Sequence, residues 1–262
     1  MIKKLKIIIP IMILLLFCFG FLFAPNDPFK VDMTARFSGA TADFPLGKDT
    51  LGRCILSGLL YGGTATVGIV LLGGITVCLF GVPIGLLIAR DESKEHLVFD
   101  SFINAFTAIP PIAYLIIFIG AWGNGITTMI IAVTVSLFLR LIKIVRARTE
   151  VELCKAYVLC AYTSGVSKLS ILFFQVLPNV LADVVRYICL SSADMVLAIV
   201  GFSFIGLGLG DNVIDWGTMI SDSHHLMLSY PHMTLYPVLC VFLAALSFHI
   251  LGRCFEKGEI YG

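Results

Sequence analysis

Charged residues are scarce in this chain of 262 residues: Asp, Glu, Lys and Arg make up only 13% of it, whereas 58% is hydrophobic. With a mean hydropathy of +0.99, the chain has more apolar side chains than a water-soluble core of this size would hold. Apolar stretches near or above the ~18 residues that cross a bilayer recur, and the polar segments between them are too short for soluble domains. The composition therefore predicts one membrane domain.

Motifs of catalysis and ligand binding are absent from the sequence. There is no G-x-x-x-x-G-K-[ST], no H-E-x-x-H and no G-x-S-x-G. The eight cysteines form no C-x-x-C pair, which argues against a disulfide framework or a zinc site. No segment is basic and aromatic enough for nucleic acid. We therefore expect no enzyme active site, no cofactor and no nucleic acid partner on this chain.

Six apolar runs predict an all-α integral membrane protein with about six transmembrane helices. The runs cover residues 7–24, 67–89, 99–120, 126–145, 181–205 and 235–251. We expect the first run to be an uncleaved helix, because it is longer than the apolar part of a secretory signal. The predicted organisation is an N-terminal transmembrane helix (1–24), an extracytoplasmic segment (25–62), a transmembrane domain (63–255) and a cytoplasmic tail (256–262).

The positions of Lys and Arg predict the orientation. If the N-terminus is cytoplasmic, 13 of these residues fall on the cytoplasmic side and 4 on the other, with Arg186 set aside inside the fifth run. The cytoplasmic set is Lys3, Lys4, Lys6, Arg90, Lys94, Arg140, Lys143, Arg146, Arg148, Lys155, Lys168, Arg253 and Lys257; the outer set is Lys30, Arg36, Lys48 and Arg53. An excess of Lys and Arg on one side of the membrane is typical of the cytoplasmic side. It predicts cytoplasmic N- and C-termini and makes residues 146–178 the largest cytoplasmic feature.

Residues 146–178 are charged and amphipathic, with two helical stretches around a glycine that can supply a turn. The proline of Leu177-Pro178 follows Gly165 by thirteen positions, and Cys160-Ala161 precedes the glycine. This spacing resembles the E-A-A-x-x-x-G loop of ABC importer permeases. The resemblance implies that residues 155–178 carry a coupling helix that docks in a groove of an ATPase subunit. The implied coupling residues are Tyr157, Ala161, Gly165, Leu177 and Pro178.

The match to this loop has one departure. Leu159 stands where the pattern has its glutamate. Glu150 or Glu152 are the nearby acids that we expect to serve the docking contact instead.

Three further blocks resemble the second permease type of the dipeptide, oligopeptide and nickel importers. Residues 46–62 resemble L-G-T-D-x-x-G-R-D-x-x-S-R-x-x-Y-G, residues 203–208 resemble S-F-L-G-L-G, and residues 216–219 resemble W-G-x-M. Pro237 and Leu251-Gly252 match the last helix of that family. The departures are Lys48, Cys54, Gly58 and Ile199. The blocks occur in family order over residues 46 to 252, which is more specific than any one of them.

The resemblance implies a type I ABC importer permease fold in the bacterial cytoplasmic membrane, spanning the lipid bilayer several times. It implies three kinds of partner: a second permease subunit in a heterodimer, two cytoplasmic ATPase subunits that bind ATP and Mg, and an extracytoplasmic substrate-binding protein. The substrate would be nickel or another chelated transition metal, or di- and oligopeptides. The alternative is an ATP-independent secondary transporter or channel, which predicts inverted repeats that we do not find.

Four residues are candidates to line a translocation pathway. Asp194 lies near the middle of the fifth run, where an unpaired charge is costly; the alternative is a carboxyl hydrogen-bonded to a serine such as Ser191. Pro110 and Pro111 predict a break in the third run, and the freed carbonyls need partners in a pathway or in ordinary packing. Ser203, the first residue of the second block, is the fourth candidate to line the pathway.

Three histidines, His224, His225 and His232, lie on the polar stretch between the fifth and sixth runs. Imidazoles bind nickel, cobalt and copper, so these residues are a candidate metal site on the extracytoplasmic side. The alternative is that adjacent histidines are merely solvated, since the sequence shows no fourth ligand at a fixed spacing.

Overall fold

The computed structural model describes residues 2–89, 97–210 and 212–255. Three predictions lie outside the described residues: the tail 256–262 and the charges Arg90 and Lys94. Within the described ranges the chain forms ten α-helices and no β-strand. The helices are α1 (Ile2–Cys18), α2 (Ile55–Ile88), α3 (Leu97–Ala108), α4 (Pro111–Trp122), α5 (Ile126–Leu153), α6 (Ala156–Thr163), α7 (Lys168–Ser170), α8 (Leu177–Phe204), α9 (Trp216–Ser223) and α10 (Pro231–Cys254). A π-helical turn, Ile171–Val176, joins α7 and α8 into one continuous helix.

The all-α prediction is confirmed for the part of the chain that the structure describes. There, four helices are long and apolar enough to cross a membrane: α2, α5, the continuous helix Lys168–Phe204, and α10. Two shorter apolar helices, Leu5–Cys18 and Pro111–Trp122, accompany them. The count of six spans and the cytoplasmic termini stay predictions.

Several helix boundaries differ from the predicted ones: α5 continues to Leu153, the helix that contains α8 begins at Lys168, and α10 extends from Pro231 to Cys254. The first two helices differ as well. α1 ends at Cys18 and is followed by a 3-10 turn, Gly20–Phe23, whereas the apolar run continues to residue 24. α2 begins at Ile55 and not at residue 67, so residues 55–62 of the predicted extracytoplasmic segment are its first two turns. Small and polar residues lower the hydropathy of this stretch, yet Ser57 and Gly58 are buried by packing against other helices.

Glycines bring α2 and α5 into close contact. A Cβ added at Gly73 would lie 2.9 Å from Val133 Cγ1, and one added at Gly85 would lie 2.7 Å from Val145 Cβ. The contact advances by twelve residues on both helices, so α2 and α5 run parallel. Small residues at helix interfaces in membranes allow this approach of backbones. α8 packs against α2, α5 and α10, and α1 lies against α10.

Candidate translocation and coupling sites

Pro110 and Pro111 break the third apolar run between α3 and α4, as predicted. Proline has no backbone N–H, so Pro110 leaves the Phe106 carbonyl without its helical donor and Pro111 does the same for Thr107. The Phe106 carbonyl accepts instead from the Ile109 N–H at 3.2 Å and from the Tyr114 hydroxyl at 3.0 Å. One of the two freed carbonyls is therefore satisfied by residues on both sides of the break.

Arg140 of α5 satisfies the other freed carbonyl. Its Nη2 donates to the Thr107 carbonyl at 3.0 Å and to the Ile109 carbonyl at 3.1 Å. One turn further along α5, Lys143 Nζ donates to Asn104 Oδ1 at 2.7 Å. Two cationic side chains inside α5 thus hold the end of α3 through polar contacts. Sequence reasoning assigned both to the cytoplasmic charge count and missed this role.

One face of α8 carries polar side chains within the predicted span. Tyr187, Ser191 and Asp194 follow at spacings of four and three residues, which places them on the same side of the helix. Asp194 is exposed in the isolated chain and has no hydrogen-bond or ion-pair partner among the described residues, so the alternative of a bond to Ser191 is not formed there. A carboxylate at this depth is too costly to face lipid, so this face must meet water or protein.

Ser203 does not belong to that face. Nine residues, or two and a half turns, separate it from Asp194, so the two side chains leave α8 on opposite sides. Ser203 is 1% exposed. A Cβ added at Gly208 or Gly217 would lie 2.8 or 2.5 Å from Ser203 Cβ, so the glycines of two sequence blocks pack against this serine. The structure separates Ser203 from the other pathway candidates.

The sequence blocks meet around Trp216, which is fully buried at the start of α9. Its indole Nε1 donates to the Leu59 carbonyl at 2.9 Å, and its ring meets Phe17 edge-on at 4.9 Å between centroids. A Cβ added at Gly62 would lie 2.9 Å from the indole, and one at Gly63 would lie 3.1 Å from it. The glycine of the first block therefore makes room for the tryptophan of the third.

Arg53, also in the first block, links its loop to α9. Its Nε donates to Asp49 Oδ2 at 2.7 Å, and its Nη2 donates to Asp222 Oδ2 at 3.1 Å. Lys48, which departs from the family pattern, pairs with Asp32 Oδ2 at 3.0 Å. A pocket of about 280 Å³ lies beside this bridge and is bordered by Arg53 and Asp222. The first block thus fixes the segment before α2.

Asp215 caps the N-terminus of α9. Its Oδ1 accepts from the backbone N–H of Gly217 at 2.7 Å and of Thr218 at 3.1 Å, while Thr218 Oγ1 accepts from the Asp215 N–H. Burial raises the pKa of this carboxyl above its usual range. Sequence reasoning missed Asp215, although an aspartate three residues before a threonine is a recognisable capping signal.

The three histidines do not assemble into the predicted metal site. His224 and His225 lie on a 3-10 turn, where His224 Nδ1 is 2.7 Å from the Ser221 carbonyl oxygen. His232 lies in the first turn of α10, with its ring 5.9 Å from that of Tyr236. Across the described ranges no three His, Cys, Asp or Glu side chains come together as metal ligands.

The predicted helix-turn-helix is present in residues 155–178, the candidate coupling segment. α6 ends in a turn at Gly165, whose φ of 81° is the left-handed conformation that favours glycine. The Gly165 N–H donates to the Tyr162 carbonyl at 3.0 Å, and the Val166 N–H donates to the Ala161 carbonyl at 3.1 Å. Ala161 and Gly165 therefore close the helix that the motif identifies.

Leu177 and Pro178 lie where the π-helical turn gives way to α8. The Leu177 N–H donates to the Leu172 carbonyl, five residues earlier. Pro178 has no N–H to offer the Phe174 carbonyl, four residues earlier, and the wider turn precedes it directly. The Leu-Pro pair thus marks a change of helical pitch between the coupling segment and the span.

Tyr157 ties α6 to the ends of α5 and α8. Its hydroxyl donates to Glu152 Oε1 at 2.8 Å, and Asn179 Nδ2 donates to the Tyr157 oxygen at 3.3 Å. Lys155 Nζ contacts Glu152 Oε2 at 2.7 Å. Burial of the phenol, followed by its bond to Glu152, raises the pKa of Tyr157 to about 12. This network fixes the start of α6 against both long helices.

The two acids expected to replace the motif glutamate differ in exposure. Glu152 is 4% exposed and turned inward, whereas the Glu150 side chain is 36% exposed and its Oε1 accepts from Arg146 Nε at 2.8 Å. A docking contact of Glu150 stays a prediction. The outward surface of the segment combines exposed apolar side chains with exposed lysines: Leu159 is 53% and Phe174 79% exposed, and Lys155 and Lys168 are exposed beside them. Exposed apolar surface beside a charged segment is typical of a protein interaction site.

Comparisons with known proteins identify related membrane permeases. The family described as "Binding-protein-dependent transport system inner membrane component" matches residues 81–260. The peptide transport system permease protein SapC of Salmonella typhimurium is 30% identical over 223 residues, covering 84% of this chain and 74% of SapC. The nickel transport system permease protein NikC of Escherichia coli is 27% identical over 232 residues, covering 87% of this chain and 82% of NikC.

A solved structure shares the fold. The MetNI methionine ABC transporter, in inward-facing conformations, aligns with a TM-score of 0.58 and 17% identity over 76% of this chain and 97% of that chain. At this identity the likeness supports the fold alone. The family resemblance seen in the sequence is confirmed: the chain belongs to the binding-protein-dependent transport system inner membrane components, the permeases of bacterial ABC importers.

Proposed function

We propose that this chain is one of two permease subunits of an ABC importer and that, with a second permease, it forms the pathway for small peptides. The observation that carries this proposal is the α8 face with Tyr187, Ser191 and Asp194, which leaves a carboxylate exposed within a span. A second permease packed on this face would enclose a polar pathway and remove the charge from lipid. An external binding protein would deliver the peptide.

Energy would come from two separate ATPase subunits that bind ATP and Mg, since this chain carries no nucleotide motif. Their contact would be the outer surface of residues 155–178, on which Leu159 and Phe174 are exposed. The Tyr157 network would carry movement of α6 to α5 and α8. A helix anchored at both neighbours transmits displacement better than a free loop.

Nickel or another chelated transition metal is the second candidate substrate. The similarity to NikC favours it. The dispersed histidines do not, because they supply no three-ligand group among the described residues. A lone carboxylate such as Asp194 suits a peptide ammonium group as well as a metal cation.

Copurification and uptake test the proposal together. A tagged chain should bring down a second permease and two ATPase chains, and its deletion should abolish uptake of labelled di- and tripeptides. Import of ⁶³Ni lost on deletion, with peptide import intact, would assign the second candidate instead. Peptide uptake that persists after deletion of the ATPase genes would contradict the ABC mechanism and favour a secondary transporter or channel.

A further inference from the structure

Two residues of opposite charge inside the predicted spans, Arg140 and Asp194, have no ion-pair partner in the part of the chain that the structure describes. Arg140 donates through Nη2 to two backbone carbonyls, and its Nε and Nη1 have no acceptor among the described residues. Asp194 has no partner there either. An un-neutralised guanidinium and an un-neutralised carboxylate within a membrane are both costly, so each needs a polar partner that the isolated chain does not supply.

The two charges lie along the contact between α5 and α8. The Tyr187 hydroxyl of α8 donates to the Leu137 carbonyl of α5 at 3.3 Å, and Arg140 follows Leu137 by three residues, one turn of α5. Asp194 follows Tyr187 by seven residues on the same face of α8, about 10 Å along the axis. A molecule bound along this contact would meet a cation towards one end and an anion towards the other.

We propose that Arg140 and Asp194 recognise the two ends of a short zwitterionic peptide. The free N–H groups of Arg140 would bind the C-terminal carboxylate, for which a guanidinium fork is well suited, and Asp194 would bind the N-terminal ammonium. A bare metal cation would be repelled by Arg140. The inference rests on the proposed function and narrows its substrate to peptides with both ends free.

Equilibrium binding to the purified importer complex, without its binding protein, tests this inference. The probes are trialanine, N-acetyl-trialanine and trialanine amide. We expect wild type to bind trialanine on the order of tenfold or more tighter than either blocked peptide, the size of one lost charged contact. Asp194→Asn should abolish the preference for a free amine, and Arg140→Gln should abolish the preference for a free carboxylate.

Controls separate recognition from folding, because Arg140 also caps the helix break. Lys143→Gln removes the neighbouring contact to α3 and should leave both preferences intact. Arg140→Lys keeps a cation and should retain part of the carboxylate preference. Wild type that binds all three peptides equally, or none, overturns the inference, and so does an Asp194→Asn variant that still prefers the free amine.

Failure of this inference can be told from failure of the proposed function. If deleting the chain leaves uptake of every peptide unchanged, the proposed function is wrong. If deletion abolishes peptide uptake while Asp194→Asn and Arg140→Gln keep the wild-type preferences, the chain is a peptide permease that binds neither terminus through these residues. Charged groups of the second permease would then neutralise Arg140 and Asp194.

Discussion

The substitution Tyr157→Phe tests how the coupling segment is held. It removes one hydroxyl and keeps the ring, so the packing of α6 should not change. The lost hydroxyl donates to Glu152, a carboxylate that is 4% exposed, and accepts from Asn179. The change therefore cuts the polar connection between α6, α5 and α8 at its centre.

The structure sets the size of the expected effect. A hydrogen bond to a charged group contributes about 1.5 to 3 kcal/mol. Glu152 keeps its contact with Lys155 at 2.7 Å, so the lower end of that range applies. A cost of about 1.5 kcal/mol would lower the population of correctly placed α6 roughly tenfold relative to misplaced forms. We expect ATP-driven transport to fall severalfold with little change in protein yield.

Transport per ATP hydrolysed, measured with the complex in proteoliposomes, is the appropriate assay. Tyr61→Phe is the matched control, because it makes the same chemical change far from the coupling segment, at a ring that packs near Phe29. The raised pKa of Tyr157 keeps its hydroxyl protonated below pH 10, so its contribution is complete there and is lost only as pH rises towards about 12. The variant's defect should accordingly be constant from pH 6 to 9. Wild-type coupling in Tyr157→Phe would refute the proposed role of this network.

Three further substitutions test the packing and the outer loop. Gly85→Ala should lower the free energy of unfolding by about 1 to 3 kcal/mol and lower the thermal midpoint in detergent, because a Cβ there clashes with α5. Gly68→Ala is the control and should be nearly neutral, since a Cβ there meets open space. Arg53→Gln removes the ion pairs of Arg53 with Asp49 and Asp222, so it should lower the free energy of unfolding by about 1 kcal/mol and speed proteolysis of residues 25–54. The control Lys30→Gln should not speed it. Equal cleavage of the two variants would count against a stabilising role of these ion pairs. Burial raises the pKa of Asp215, so the folded protein holds this proton more tightly than the unfolded chain does. The stability of wild type should therefore fall as pH rises from 3.8 through the raised pKa. Thermal melts at several pH values should show this fall in wild type and not in Asp215→Asn.

Local signals in the sequence predicted local features well. The Pro110-Pro111 pair predicted the break between α3 and α4, and Gly165 predicted the turn after α6. Each depends on the chemistry of one or two residues and their immediate neighbours. The capping of the break by Arg140 was not predictable in this way, because it joins residues more than thirty positions apart.

Helix boundaries and faces were harder for different physical reasons. Hydropathy placed the start of α2 at residue 67, because it cannot tell small buried residues from exposed polar ones. Ser203 was grouped with Asp194 by motif and depth, although helical periodicity alone puts them on opposite sides of α8. His224 and His225 lie on a 3-10 turn and His232 lies in the first turn of α10, and their spacing in the sequence does not tell whether these elements form a three-ligand group.

The arrangement of the sequence blocks explains why they do not reveal the substrate. Gly62 makes room for Trp216, Gly217 makes room for Ser203, and Arg53 ties its loop to α9, so these residues hold helices and loops together. Permeases that carry peptides and permeases that carry nickel need the same scaffold and can therefore share every block. We therefore propose that information about cargo lies outside the blocks, at charged residues within the spans. Arg140 and Asp194 are such residues, which makes their substitution the most direct way to learn what this permease carries.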